Sequence, residues 1–267
     1  MLLETPTILI AAAGVFGLLL GSFLNVCVYR IPRDLSVVAP RSFCPECGEG
    51  VAWYDNIPLV SYVCLWGRCR HCRHPIGLRY PLVEATTAGL FALTVARYGW
   101  SLTALKWALF EALMVVLFWT DLEERILPDE LTLGGAVTGV ALAFFVPVPG
   151  ELGSWLSPSV QPVWSSVLNS LVGACVLTLP IFFLGWVYSK IRHREGIGLG
   201  DLKLLLLLGA FLGVEDGVQA LLIGSIAGSV IGVVYILMAR KDAATYWLPL
   251  GSFLCVGGAI LPLVHRL

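Results

Sequence analysis

Eight apolar runs, joined mostly by short polar connections, set the terms on which this chain can fold. They cover roughly Ile8–Tyr29, Tyr80–Tyr98, Leu102–Thr120, Leu131–Val148, Val163–Tyr188, Leu202–Val214, Val218–Ala239 and Thr245–Val264. A helix needs about 20 apolar residues to cross a bilayer core, and only the sixth run falls well short. Charged residues make up 13% of the 267, against about 25% in a soluble domain, and mean hydropathy is +0.85. That is too little polar surface to cover a core of this size in water, so lipid is the solvent for much of the chain. The pattern predicts an all-α integral membrane protein of about eight transmembrane helices. A net charge of −1 without a basic run excludes nucleic acid as a partner. The first run has no basic segment before it and leads through Gly21-Ser22-Phe23-Leu24-Asn25 to Arg30. It therefore reads as a retained span, not a cleaved signal peptide.

Basic residues orient the array. If eight spans alternate, 14 of the 17 Lys and Arg residues fall on one side, seven of them between Arg30 and Arg79, and only Arg97, Lys106 and Arg266 on the other. The richer side is cytoplasmic by the positive-inside rule, so both termini face out. Gly17 and Gly21 in the first run, and Gly224, Gly228 and Gly232 in the seventh, recur at four-residue spacing. Small residues on one helical face let backbones approach, so these read as packing seams. The connection Pro149–Pro162 is rich in Gly, Ser and Pro.

The division expected is a first transmembrane helix over 1–29, a small cytoplasmic loop domain over 30–79 and a seven-helix bundle over 80–267. The loop contains Cys44-Pro45-Glu46-Cys47 and Cys69-Arg70-His71-Cys72. Each C-x-x-C turn aims two sulfurs at one point, and two such turns complete a tetrahedral thiolate site for zinc. A reducing cytoplasm keeps the thiols free for metal. The loop has few bulky apolar residues, so bound metal would supply folding energy. Cys64, His71 and His74 are possible substitute ligands. A closed four-cysteine site has no open position, which makes the zinc structural. Cys27, Cys175 and Cys255 lie in apolar runs and read as small core residues.

Carboxylates in or beside spans are costly and so informative. Asp121 ends the third run, Asp129 follows Leu127-Pro128 at the start of the fourth, and Asp201 opens the sixth after Gly196-Ile197-Gly198-Leu199-Gly200. On the predicted topology all three lie near the cytoplasmic interface. Asp129 is equally well read as the N-cap of the fourth helix. Asp121 also reads as a solvated helix-end charge beside Glu123, Glu124 and Arg125. The glycines before Asp201 predict irregular backbone, tolerated at membrane depth only where protein or water surrounds it. Glu84 lies near the cytoplasmic start of the second run, and Glu111, inside the third, needs a hydrogen-bonding partner within the bundle.

At these residues the chain resembles the type IV prepilin peptidases, bifunctional bacterial membrane enzymes with a G-x-G-D motif. Gly21-Ser22-Phe23-Leu24-Asn25-Val26 with Tyr29-Arg30-Ile31-Pro32, both cysteine pairs, Arg79-Tyr80-Pro81-Leu82-Val83-Glu84, Asp121…Leu127-Pro128-Asp129 and Gly198-Leu199-Gly200-Asp201-Leu202-Lys203 follow in family order. The resemblance implies Asp121 and Asp201 as the catalytic pair, with Asp129, Gly198, Gly200, Lys203 and Glu84 in support. It implies an inner-membrane enzyme that cuts the basic leader from prepilins and secretion pseudopilins after a glycine. Methylation of the new N-terminus from S-adenosylmethionine is implied as well, although no glycine-rich fingerprint marks a site for that donor. The chemistry suits hydrolysis: two nearby carboxylates cannot both ionise easily, so one holds a proton while the other activates water. A cation- or proton-coupled transporter is the alternative reading of the aspartates, but no repeated halves with matching broken helices are present.

Overall fold

The computed structural model describes residues 6–148, 150, 162–193, 196–239 and 248–264. Arg194, Arg240, Lys241, Arg266, His265, the first residues of the eighth apolar run and most of the Pro149–Pro162 connection lie outside them. Among the described residues the regular structure is helical, with no strand. The main elements are α1 (Thr7–Arg30), α2 (Val60–Cys64), α3 (Arg79–Tyr98), α4 (Leu102–Glu124), α5 (Asp129–Leu142), α6 (Pro162–Arg192), α7 (Leu199–Ala239) and α8 (Leu250–Val264). Among the described residues four helices are long and apolar enough to cross a membrane: Thr7–Arg33, Leu102–Glu124, Val163–Arg192 and Leu199–Ala239.

The 41 residues of α7 would reach roughly 60 Å if straight, twice a bilayer core. Gly213 breaks it with φ 76° and ψ −165°, an arrangement that suits a residue without a Cβ. The segments 199–212 and 214–239 correspond to the sixth and seventh apolar runs. Two predicted spans differ from the helices of the described residues. The fourth leaves its helix after Leu142, because the Ser166 hydroxyl ties the turn that follows: it donates to Ala143 O and accepts from Val148 N–H, both at 2.8 Å. Of the described residues of the eighth, Leu248 and Pro249 are not helical and the helix runs from Leu250.

The chain divides within α4 into two compact units, Met1–Val116 and Leu117–Leu267. In the first, α1 lies against α3 so closely that a Cβ at Gly21 would stand 2.8 Å from Glu84 Cα. The same contact at Gly17 meets Ala88, so this stripe is a packing seam. Glu111 is fully buried and accepts a 2.6 Å hydrogen bond from the Thr94 hydroxyl, the partner its position demands. Arg30 ends α1 but is itself buried: its guanidinium donates to Ser36 O at 2.8 Å and Pro40 O at 2.7 Å, pinning the start of the cysteine loop.

In the second unit α7 packs on both α6 and α8. A Cβ at Gly224 would lie 2.8 Å from Leu254 Cα, and Gly228 and Gly232 face Phe253 and Leu248. Here too the small residues are where helices meet. Cys27 and Cys255 are buried, as core residues should be, but Cys175 is exposed on α6. An apolar run marks a residue as compatible with burial or with lipid, and cannot tell the two apart.

Candidate metal centre and candidate active site

Two short turns build the cysteine cluster, and they are copies of one another. In the first, Cys44 N–H donates to Glu49 O and Gly48 N–H to Cys44 O; in the second, Cys69 N–H donates to His74 O and Arg73 N–H to Cys69 O. Bridges close each turn at the same offset, Phe43 with Gly50 and Arg68 with Pro75. Gly48 and Arg73 hold the left-handed corner, at φ 73° and 62°. This small repeat is invisible in the sequence, because backbone geometry repeats where only the cysteines do.

The four sulfurs of Cys44, Cys47, Cys69 and Cys72 lie within 4.8 Å of one another, and Cys44 and Cys72 are 3.8 Å apart. Zn–S bonds of about 2.3 Å in a tetrahedron require sulfurs roughly 3.8 Å apart, so the donor set could hold zinc. The backbone N–H groups of Cys72 and His71 pull the Cys69 thiol down to about 6, while desolvation and the neighbouring sulfurs push Cys72 up to about 11. Cys64 is exposed and belongs to no such group. Arg70, within the second turn, grips Asp55 through two bonds of 2.5 and 2.6 Å. That bidentate contact holds the Asp55 carboxyl below the usual carboxylate range.

Both aspartates lie in the second unit. Asp121 is buried in the last turn of α4. Its Oδ2 accepts the Ser252 backbone N–H at 2.6 Å and lies 2.8 Å from the Ser252 hydroxyl. The hydroxyl is also 3.0 Å from Phe118 O, and its single proton serves one acceptor at a time. Ser252 is the third residue of α8, so its N–H has no partner within that helix. Asp121 thus caps α8 from 131 residues away, and is not the solvated helix-end charge that its acidic neighbours suggest. Gly251 makes the approach possible: a Cβ there would stand 3.1 Å from Asp121 Cγ and 3.0 Å from Leu127.

Asp201 lies in the first turn of α7. The charges of Asp121 and Asp201 act on one another, and both act on buried Cys255. Helix α7 begins at Leu199, so irregular backbone stops at Gly198 and does not run through Gly200 as predicted. The cause is local: Leu202 N–H already reaches Gly198 O. Gly200 sits against Leu127, and a Cβ at Gly198 would lie 3.5 Å from Asp201 Oδ2.

Asp129 is not an N-cap. Pro128 holds that position in extended backbone, its carbonyl taking the N–H groups of Leu131 and Thr132 and the Thr132 hydroxyl. The Asp129 carboxylate instead accepts Lys203 Nζ at 2.6 Å, tying the first turns of α5 and α7 together. Glu84 lies in the other unit, where it accepts Leu59 N–H at 2.8 Å. Gly251 and Ser252 were missed in the sequence. The one signal was the small pair Gly251-Ser252 opening an apolar helix just after a proline.

The relationships of the chain agree with this arrangement. Residues 15–98 match the bacterial peptidase A24 N-terminal domain, and residues 108–237 match the type IV leader peptidase family. Three proteins named prepilin leader peptidase/N-methyltransferase are similar over most of the chain. One from Myxococcus xanthus is 40% identical over 85% of this chain, the match spanning 63% of that protein's length. One from Burkholderia pseudomallei is 36% identical over 94% of this chain and 84% of its own, and one from Pseudomonas putida 33% over 96% and 90%. No solved structure matches. With family models over both parts of the chain and relatives of this similarity, the chain belongs to the type IV leader peptidase family.

Proposed function

We propose that this protein cuts the leader from type IV prepilins and pilin-like secretion proteins and N-methylates the new terminus, with Asp121 and Asp201 as the hydrolytic pair. The observation that carries the reading is the placement of Asp121, anchored by Ser252 within electrostatic range of Asp201. In such a pair the protonated carboxyl polarises the scissile carbonyl while the ionised one takes a proton from the attacking water. Ser252 fixes the Asp121 carboxylate, and Gly251 leaves it room. The pair formed by Lys203 and Asp129 positions the start of α7, and hence Asp201, with Gly198 and Gly200 allowing close approach. Transporter chemistry has no support from the family.

The proposal extends to the membrane. Eight crossings would use α1, α3, α4, α5, α6, both segments of α7, and α8, with both termini periplasmic and the aspartates near the cytoplasmic face of the inner membrane. Residues 30–79 would act as the cytoplasmic part, its four cysteines holding structural zinc. The test is incubation of the purified protein with a prepilin precursor, with and without S-adenosylmethionine, followed by mass spectrometry. A cut after glycine, with one methyl group added only when the donor is present, supports the reading; an intact precursor overturns it.

A further inference from the structure

The cysteine loop turns apolar side chains outward. In α2, Ser61 is buried and Tyr62 points inward, its hydroxyl donating to Ile76 O. Val60, Val63 and Cys64 form the outer face. Val63 is 70% exposed, and Trp66, just beyond the helix, is 88% exposed. Leu59 and Trp66 bound α2 in the left-handed region, at φ 57° and 55°, which bulky side chains rarely adopt. Earlier in the loop Val38 is 87% exposed. In water this pattern is inside out, because a helix on a soluble domain turns its apolar stripe to the core. Exposed apolar surface of this kind marks an interaction site.

The loop also folds back along its two helices. The 24 residues of α1 extend about 36 Å, against a bilayer core of about 30 Å. Only about 6 Å of a spanning α1 can therefore lie outside the core. Leu19 and Phe23, both exposed on α1, stand about 16 Å and about 10 Å back from Arg30. Even so, they wall a cavity of about 260 Å³ together with Val37, Val38 and Pro40 of the loop. On α3, Glu84 accepts the Leu59 N–H about 8 Å beyond the start of that helix at Arg79. The start of α2 is thus held beside the helices, not beyond their ends. Charge fits the same level. Neither 35–45 nor 57–69 contains Asp or Glu, while exposed Arg41 and Arg68 follow Val38 by three residues and Trp66 by two. The cytoplasmic leaflet is anionic, tryptophan favours headgroup depth, and an arginine fork matches phosphate. We propose that the ridge of Val60, Val63 and Trp66, with Val38, is a lipid-binding surface seated among anionic phospholipid headgroups. The inference rests on α1 and α3 as membrane spans and is independent of the reaction. It also gives the cysteine cluster a purpose: with apolar side chains turned to lipid, the loop has little core of its own, and bound metal would replace it.

The test reconstitutes the full chain with a prepilin precursor in vesicles of equal phosphatidylcholine and phosphatidylglycerol. Photoreactive benzoylphenylalanine replaces Val63 in one variant, Trp66 in a second and Phe16, exposed on α1, in a third. Mass spectrometry after irradiation identifies what each position captures. All three should capture phospholipid. At Val63 and Trp66 phosphatidylglycerol should exceed phosphatidylcholine at least twofold, and Arg41→Gln/Arg68→Gln should remove that excess. Two loop positions keep the result readable where one variant does not fold, with thermal unfolding as the check. Capture of the precursor or of a second copy of this chain in place of lipid overturns the assignment. Equal capture of the two lipids by the chain with both arginines overturns its anionic part. Lipid at Phe16 but not at Val63 or Trp66 overturns this inference alone, whereas lipid at none of the three overturns the membrane reading with it. Cleavage has no part in the readout, so a chain that captures lipid as expected yet cuts nothing supports this inference and breaks the hydrolytic reading instead.

Discussion

The cysteine cluster and the aspartate pair are assembled in opposite ways. Every cysteine is positioned by bonds spanning a few residues: the two turns close on themselves, and only their mutual docking is longer-range. The aspartate pair draws on α4, α7 and α8, and its strongest contact joins residues 131 apart. A locally built site depends on its own metal and turns. One built from three helices depends on packing that a single methyl group can disturb. Damage to the two should therefore separate.

The largest expected effect is at the carboxylates. Asp121→Asn and Asp201→Asn should each lower precursor cleavage by about 10²–10⁴-fold or more, because asparagine keeps size but cannot cycle a proton. Both proteins should still insert and fold, as checked by thermal unfolding in detergent; full activity in either would remove that residue from the pair. Next is the metal. Wild type should carry one zinc per chain, and Cys44→Ser/Cys72→Ser should lose it, which elemental analysis reads directly. The same variant should lose methyl transfer more than cleavage, a ratio that mass spectrometry of the mature pilin supplies.

Smaller effects probe the helix contact. Gly251→Ala pushes a methyl group against Asp121 and Leu127, and overpacking of this kind costs about 1–3 kcal/mol. Cleavage should fall with little change in zinc content. Ser252→Ala keeps the backbone donor and should cost less. The smallest change lies in the loop: Arg73→Gly relieves a left-handed residue, worth about 1 kcal/mol, and should slow zinc loss to a chelator while leaving cleavage as it was.

The contrast also explains what the sequence could say. The C-x-x-C pairs were legible because the spacing that names the motif also builds the turn. Asp121 and Asp201 stood out as costly charges beside lipid, whereas the break at Gly213 falls inside the sixth apolar run and not between it and the seventh. Ser252 was not legible, since a serine near a helix start looks the same whether it meets water or a carboxylate. Asp129 misled for a related reason: a first-turn aspartate after proline suits a cap, and only Lys203, 74 residues on, shows where its charge goes. The length of α5 was overestimated because hydropathy continues through the turn that Ser166 satisfies.

The central claim is that hydrolysis belongs to the aspartates and methyl transfer to the part of the chain that includes the cysteine loop. The most direct measurement gives Asp121→Asn protein two substrates in parallel, intact precursor and an already-cut pilin with a free N-terminal phenylalanine, each with S-adenosylmethionine. The account predicts no cleavage of the first and methylation of the second at close to the wild-type rate. Loss of both activities in a protein that remains folded and zinc-loaded would contradict it.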